Sequence, residues 1–432
     1  MLVLGASAFA QGDYPRLERR IASSDGDIAK PKYAAREKTW RKRGELMMEA
    51  YEAPLQGLGM GVGTREFSAA IGEPEERKAL HIHGGDYVLW STAKTDFYFS
   101  RKADGTEDKL DFYRVKKAVL PSPLDSAMRA YGRAASLSQE GVKDKRIAQG
   151  YEAIRRASIA SGINASKQLD YKGAVGHFAR ALAVDSITGR AQVDSTLSYY
   201  TGIMLLKDKQ YAPAMGYLEK AINAGYTNKG QVYCLYFEAA ELCGQGAKGK
   251  QMLMRGVGLF PEAQCVLMQL VEYNIKHKED SQGVIELIDR ALAKSPKNAS
   301  LYFAKGIVYD ELGDMKASEA AYQQAVAIVP NYPDAYYNMA VLHYNHAVDL
   351  SDQAAKLPSS DTKGYDKLQA EAQAEYRKCI PLAEKVCELI PGHGNSLNLL
   401  KKLYFRFRAE KGMMEKYEKV KKMLEGGVAP GE

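Results

Sequence analysis

Side chains able to do chemistry cluster in few places in this chain. The stretch GLGMGVGTREFSAAIGEP, residues 57–74, sets glycines at 57, 59, 61 and 63 just ahead of a helical run. Glycines placed so can bring backbone N–H groups onto a phosphate at a helix N-terminus. A dinucleotide fingerprint needs GxGxxG, however, and the spacing fails at Val62. A P-loop needs GxxxxGK[ST], and no such lysine stands here. The glycines therefore read as a hinge leading into a small module. His81 and His83 alternate along an expected strand, so they share a face and could supply half of a metal site, against the plainer reading of an exposed strand. No third ligand is identifiable, although Asp86 is close by. His343 and His346 stand three apart on an expected helix. The five cysteines, Cys234, Cys243, Cys265, Cys379 and Cys387, match no zinc or redox spacing. Cys379 and Cys387 lie about 12 Å apart along a helix, too far to bridge. All five are expected as small buried residues. No GxSxG, HExxH or Cys-His arrangement appears. The reading is of no enzyme, no cofactor and no metal.

The 432 residues, with 46% hydrophobic and 26% charged content, suit a folded protein of two or three domains or one long array. No apolar run approaches the length of a transmembrane segment. Net charge is +7, and KKLYFRFRAEKGMMEKYEKVKKM, residues 401–423, holds nine basic and three acidic residues. That is a solvated helix face or a contact for an anionic surface; nucleic acid is not expected. At the N-terminus, Ala8-Phe9-Ala10 has the small-x-small form of a signal-peptidase site before Gln11. The apolar core ahead of it is short, as if residues 1–10 were the remnant of a signal whose start lies upstream. Export is the expectation.

Internal periodicity organises the rest. ASLYFAKGIVYDELGDMKASEAAYQQAVAIVPN, from Ala299, reads as two amphipathic helices about a Gly313-Asp314 turn, and Pro296 precedes Pro330 by one 34-residue step. This resembles the tetratricopeptide repeat. Tyr302, Gly306 and Tyr309 take its positions four, eight and eleven; Tyr322, Ala325 and Pro330 take 24, 27 and 32. Ser318 replaces the usual alanine at 20. The frame recurs at YKGAVGHFARALAVD with Gly162 and Phe178, and at YAPAMGYLEKAINAG with Gly202 and Leu218. Looser units end near Pro261 and Pro296, and a last one over 333–394 has a lengthened first helix and the loop KLPSSDTKG. His343 falls at packing position eleven. The resemblance implies an all-α helical-hairpin solenoid, in which small residues let helices approach and large ones fill between them.

Upstream, Trp40 and Gly44 suit a first helix, and Ala127, Tyr131 and Ala134 suit its partner helix. One repeat is thus read as split by an insert over 54–121, with one helix followed by the alternating aromatic runs DYVLWS, TDFYFSR and KLDFYRV. The insert is expected to be a small α/β module, one helix on an antiparallel sheet. TREFSAAIGEP faintly resembles the helix of the SmpA/OmlA outer-membrane assembly modules, one residue short. The domain scheme is a residual signal over 1–10, a split repeat over 13–138 containing 54–121, an array over 150–394, capping helices over 395–425 and a disordered tail over 426–432.

In this repeat family the concave groove is lined by positions 2, 5, 9, 12 and 13 of each first helix. The resemblance carries those positions to Tyr199, Lys207, Glu238, Tyr273, Lys276, Phe303, Asp310, Glu311, Tyr337, Tyr344 and Asn345. Exposed aromatics beside charges would anchor a partner peptide or helix. The carboxylate clamp of some family members, Lys and Asn at positions five and nine, is absent. The expected protein is a non-catalytic interaction scaffold of a Gram-negative envelope, in the periplasm or at the outer-membrane periphery, binding protein partners. Two alternatives stand beside it: a peptidoglycan- or glycan-associated binder, and a metal-dependent enzyme built around His81, His83 and Asp86.

Overall fold

The computed structural model describes residues 14–102, 104–277 and 281–425. The signal remnant and the C-terminal tail lie outside them. The chain falls into two compact units, the first up to Tyr226 and including Leu242–Gly244, the second the remainder from Thr227.

In the first unit, α1 (Tyr14–Ile28) and the single turn α2 (Pro31–Ala34) precede α3 (Glu37–Glu52). Then come α4 (Thr64–Ile71) and the strands β1 (Glu76–Ile82), β2 (Gly85–Ser91), β3 (Thr95–Arg101) and β4 (Glu107–Val115). Helices α5 (Pro123–Leu137), α6 (Lys145–Lys167), α7 (Tyr171–Thr188), α8 (Ser195–Lys207) and α9 (Tyr211–Asn223) complete it. Helix α3 pairs with α5, α6 with α7, and α8 with α9. The chemistry of each pair is the same. A glycine on the first helix leaves room for a large side chain on the second: a Cβ on Gly44 would stand 2.6 Å from the Tyr131 ring, and one on Gly162 2.3 Å from Phe178. Aspartates 144, 170 and 194 cap α6, α7 and α8 by accepting from backbone N–H groups of the first turn.

Between α3 and α5 in sequence lies the antiparallel meander β1-β2-β3-β4. Its core is aromatic. Phe67 of α4 is 0% exposed, with Trp90, Phe97 and Phe99 edge-on around it at 4.7–5.3 Å between centroids. The glycine run is not a free hinge. Leu58, Met60 and Val62 pack on this core, and Gly61 N–H donates to the Leu110 carbonyl (2.7 Å) while Leu110 N–H donates to Val62 (2.8 Å). Residues 61–63 thus run along the outer edge of β4 as a short added strand.

In the second unit, α10 (Gln231–Leu242), α11 (Gly246–Leu259), α12 (Gln264–His277), α13 (Ser281–Lys294), α14 (Ala299–Glu311) and α15 (Met315–Ile328) continue the hairpin pattern. Gly306 faces Tyr322, where a Cβ would meet the ring at 2.5 Å. Helices α16 (Pro333–Ala355) and α17 (Thr362–Leu389) are both long, and α18 (Gly394–Arg406) and α19 (Met413–Glu425) close the chain. The extension of the last repeat is therefore shared by both of its helices, because Asp361 caps α17 well ahead of AEYRKC. Two of the five cysteines expected as small buried thiols are instead bonded to each other. Cys234 and Cys265 are joined in a disulfide, with Cα atoms 6.4 Å apart, whereas Cys243, Cys379 and Cys387 form no disulfide among the described residues. The separation of 31 residues hides the pair in sequence; the fold brings Cys234 of α10 within reach of Cys265 of α12.

Candidate partner-binding groove

The eleven groove positions divide between the units, Tyr199 and Lys207 in the first and the other nine in the second. Three expected as exposed anchors are instead buried. Tyr199 is only 4% exposed and stacks on Tyr226 at 4.4 Å. Tyr273 stacks on His277 at 4.1 Å and sits edge-on to Phe237. Phe303 is enclosed by Tyr322 and Tyr332. The reason is shared: a large ring on a first helix is reached by a ring one turn along, from the paired helix or from the next repeat, and burying both faces is worth more than leaving one wet.

The remaining positions do present groups to solvent. Glu238, Asp310, Glu311 and Asn345 are exposed, as are Lys207 and Lys276. Lys207 lies over the Tyr171 ring, and Lys276 pairs with Glu241 at 3.0 Å. Partial desolvation, together with neighbouring Glu311, holds the Asp310 carboxyl above its usual range. Tyr337 and Tyr344 are half-buried, Tyr337 against His393 and Tyr344 between Tyr376 and Lys402. Sequence reasoning missed Tyr200, which is 47% exposed beside Tyr199. It is a position-six residue that the groove rule does not select.

The histidines separate. His81 remains on β1 and bonds Asp86 at 2.8 Å, both exposed; that bond holds the Asp86 carboxyl below its usual range. His83 is not on the strand with it. Its φ of 53° places it in the tight turn to β2, so the shared face expected from alternation does not form. Among the described residues, no group of three His, Cys, Asp or Glu side chains is placed to hold a metal ion. His343 is buried, 3% exposed, with Nδ1 at 2.6 Å from Glu375 and Nε2 at 3.6 Å from Glu319. Burial opposes ionisation of Glu375, but hydrogen bonds from Lys378 and His343 outweigh it and hold the carboxyl below its usual range. The cluster clasps α15, α16 and α17 together, with the buried Cys379 thiol donating to the Glu375 backbone carbonyl at 3.3 Å.

Residues 311–346 match the family described as TPR repeat. No curated protein matches the chain. Among solved structures, a TPR repeats protein from Bacteroides fragilis is similar at 19% identity, covering 58% of this chain and 97% of its own, with a TM-score of 0.33. The C-terminal part of a TPR repeat-containing protein from Cytophaga hutchinsonii is similar at 14% identity, covering 63% and 94%, with a TM-score of 0.40. YrrB, described as a TPR protein with an unusual peptide-binding site, is similar at 17% identity, covering 48% and 95%, with a TM-score of 0.30. No helix of the described residues is long and apolar enough to cross a membrane. The chain is a predominantly helical protein of successive helical hairpins, with a tetratricopeptide repeat over 311–346 and a small module of one helix and a four-stranded antiparallel sheet near its N-terminus.

Proposed function

We propose that this protein is a non-catalytic scaffold that holds a protein partner on the first helices of its repeats. The observation carrying this reading is the set of groups those helices leave accessible in the second unit: half-buried Tyr337 and Tyr344, with Glu238, Lys276, Asp310, Glu311 and Asn345 exposed. Half-buried tyrosines anchor a partner at little entropic cost, and the surrounding charges set its register. The preponderance of carboxylates favours a basic or mixed-charge segment over an acidic one. Among the domain assignments, residues 54–121 act as a module within the repeat formed by α3 and α5, and α18 with α19 cap the array.

The working location is the periplasm or the outer-membrane periphery. The Ala8-Phe9-Ala10 pattern supports it, and so does the Cys234–Cys265 bridge, because disulfides persist in oxidising compartments. The test is cell fractionation followed by crosslinking and mass spectrometry, with wild type beside a Tyr337→Ala/Tyr344→Ala variant. Defined partners recovered from the envelope, and lost with the variant, are the expected result. Recovery in the cytosol with an intact N-terminus sinks the location, and unchanged partners with the variant sink the groove.

A further inference from the structure

The first unit contains a cleft of about 410 Å³ that the groove reading does not use. It opens where β4 runs out of the sheet, between the C-terminal ends of α3 and α6 and the start of α7. Pro54, Leu55, Val115 and Pro123 supply apolar walls, and Tyr51 and Tyr113 supply rings. Most polar groups facing it are already satisfied. The Tyr51 hydroxyl is hydrogen-bonded with Ser161 Oγ at 2.9 Å, and the Asn164 amide exchanges a pair of hydrogen bonds with the Tyr113 backbone. Asp170 faces it too, but its carboxylate caps α7 by accepting from Gly173 N–H at 2.9 Å.

Two donors facing the cleft have capacity to spare, while Asp170 keeps acceptor capacity on its second oxygen. Arg114 has no ion-pair partner among the described residues; its cross-strand neighbour Asp96 is taken by Lys116 at 3.1 Å. His177 receives a hydrogen bond on Nδ1 from Arg180 at 3.0 Å, and Arg180 is itself held by Asp125 at 2.7 Å. A guanidinium can only donate, so Nδ1 must be the acceptor and the ring proton must sit on Nε2. Burial, aided by the charge of Arg180, lowers the His177 pKa, so the ring is neutral near pH 7 and keeps that single N–H. Nε2 has no partner among the described residues. The cleft thus combines apolar and aromatic walls with a free guanidinium and a free imidazole N–H, the arrangement that suits an acceptor-rich anionic head on an apolar body.

We propose that this cleft binds a carboxylate attached to an apolar group, either the free C-terminus of a peptide or a small organic acid. The proposal is independent of the scaffold reading, since none of its residues belongs to the groove positions. It is tested by calorimetric titration of the full-length protein with three probes: N-acetyl-Ala-Ala-Phe as the free acid, the same peptide as its C-terminal amide, and 3-phenylpropionate. The free acid is expected to bind, with the amide about tenfold weaker and Arg114→Gln weakening the free acid by about the same factor. Ala118→Trp, which places a large ring at the exposed rim of the cleft, is expected to abolish binding while leaving the far-ultraviolet circular dichroism unchanged. Binding of 3-phenylpropionate as tight as that of the peptide identifies a small acid as the ligand; binding of the peptide alone identifies a chain terminus. Equal affinity for acid and amide, wild-type affinity in both variants, or no binding by any probe overturns the proposal.

Discussion

The side-chain amide of Asn164 pairs with the backbone of Tyr113 as a neighbouring β-strand would. Tyr113 N–H donates to Asn164 Oδ1 at 2.9 Å, and Asn164 Nδ2 donates to the Tyr113 carbonyl at 3.0 Å. A helix thereby finishes the edge that residues 61–63 begin, so β4 presents no open edge over Leu110–Tyr113 for another chain to pair with.

Replacing Asn164 by Leu leaves a buried N–H and part of a carbonyl without partners, Gln168 alone remaining on the latter. A loss of about 2–4 kcal/mol is expected, since each orphaned group costs about 1–3 kcal/mol. Urea denaturation followed at the tryptophans reads it. A loss below about 0.5 kcal/mol would show that the pair adds nothing beyond solvent hydrogen bonds.

Tyr131 lies between two glycines, one on α3 and one on α6. A Cβ on Gly150 would stand 2.2 Å from its ring, and one on Gly44 2.6 Å. Gly150→Ala should therefore cost about 1–3 kcal/mol through overpacking, against the usual gain of alanine within a helix. The double variant with Tyr131→Leu should recover part of that loss, and a thermodynamic cycle of the four proteins measures how much. Strictly additive losses would mean the ring is not the obstacle.

The Glu375 carboxyl gives a pH signature. Its folded-state pKa lies below the unfolded value, so its stabilisation is present above the ordinary carboxylate range and is lost as pH falls through the folded pKa. Glu375→Gln should lower stability by about 1–2 kcal/mol at neutral pH, and by progressively less as pH drops below about 4. Thermal melts of both proteins from pH 7 to pH 3 compare the curves. Parallel curves over that range would rule the clasp out.

The bridge between Cys234 and Cys265 closes a loop of 31 residues. Its removal, by reductant or by a double serine substitution, is expected to cost about 2–4 kcal/mol. Non-reducing peptide mapping locates the bond, and denaturation with and without reductant measures it. Identical midpoints in the two conditions would remove the bridge from the account of stability.

Legibility followed the range of the interactions. Gly306 against Tyr322, Gly162 against Phe178 and the aspartate caps all act between residues within one hairpin, so their spacing is written along the chain. That periodicity determined the helical-hairpin fold, and the switch to alternating aromatics marked the sheet. Tertiary structure alone decided the contacts between elements far apart in sequence. Tyr199, Tyr273 and Phe303 carry the residue types of exposed anchors, yet neighbouring rings bury them. His83 lost its strand face to a two-residue turn, Cys234 found Cys265 in the next repeat, and Asn164 met the edge of a sheet 51 residues away. A side chain's type fixes what it can bond, while the packing of distant elements fixes which partner comes within reach.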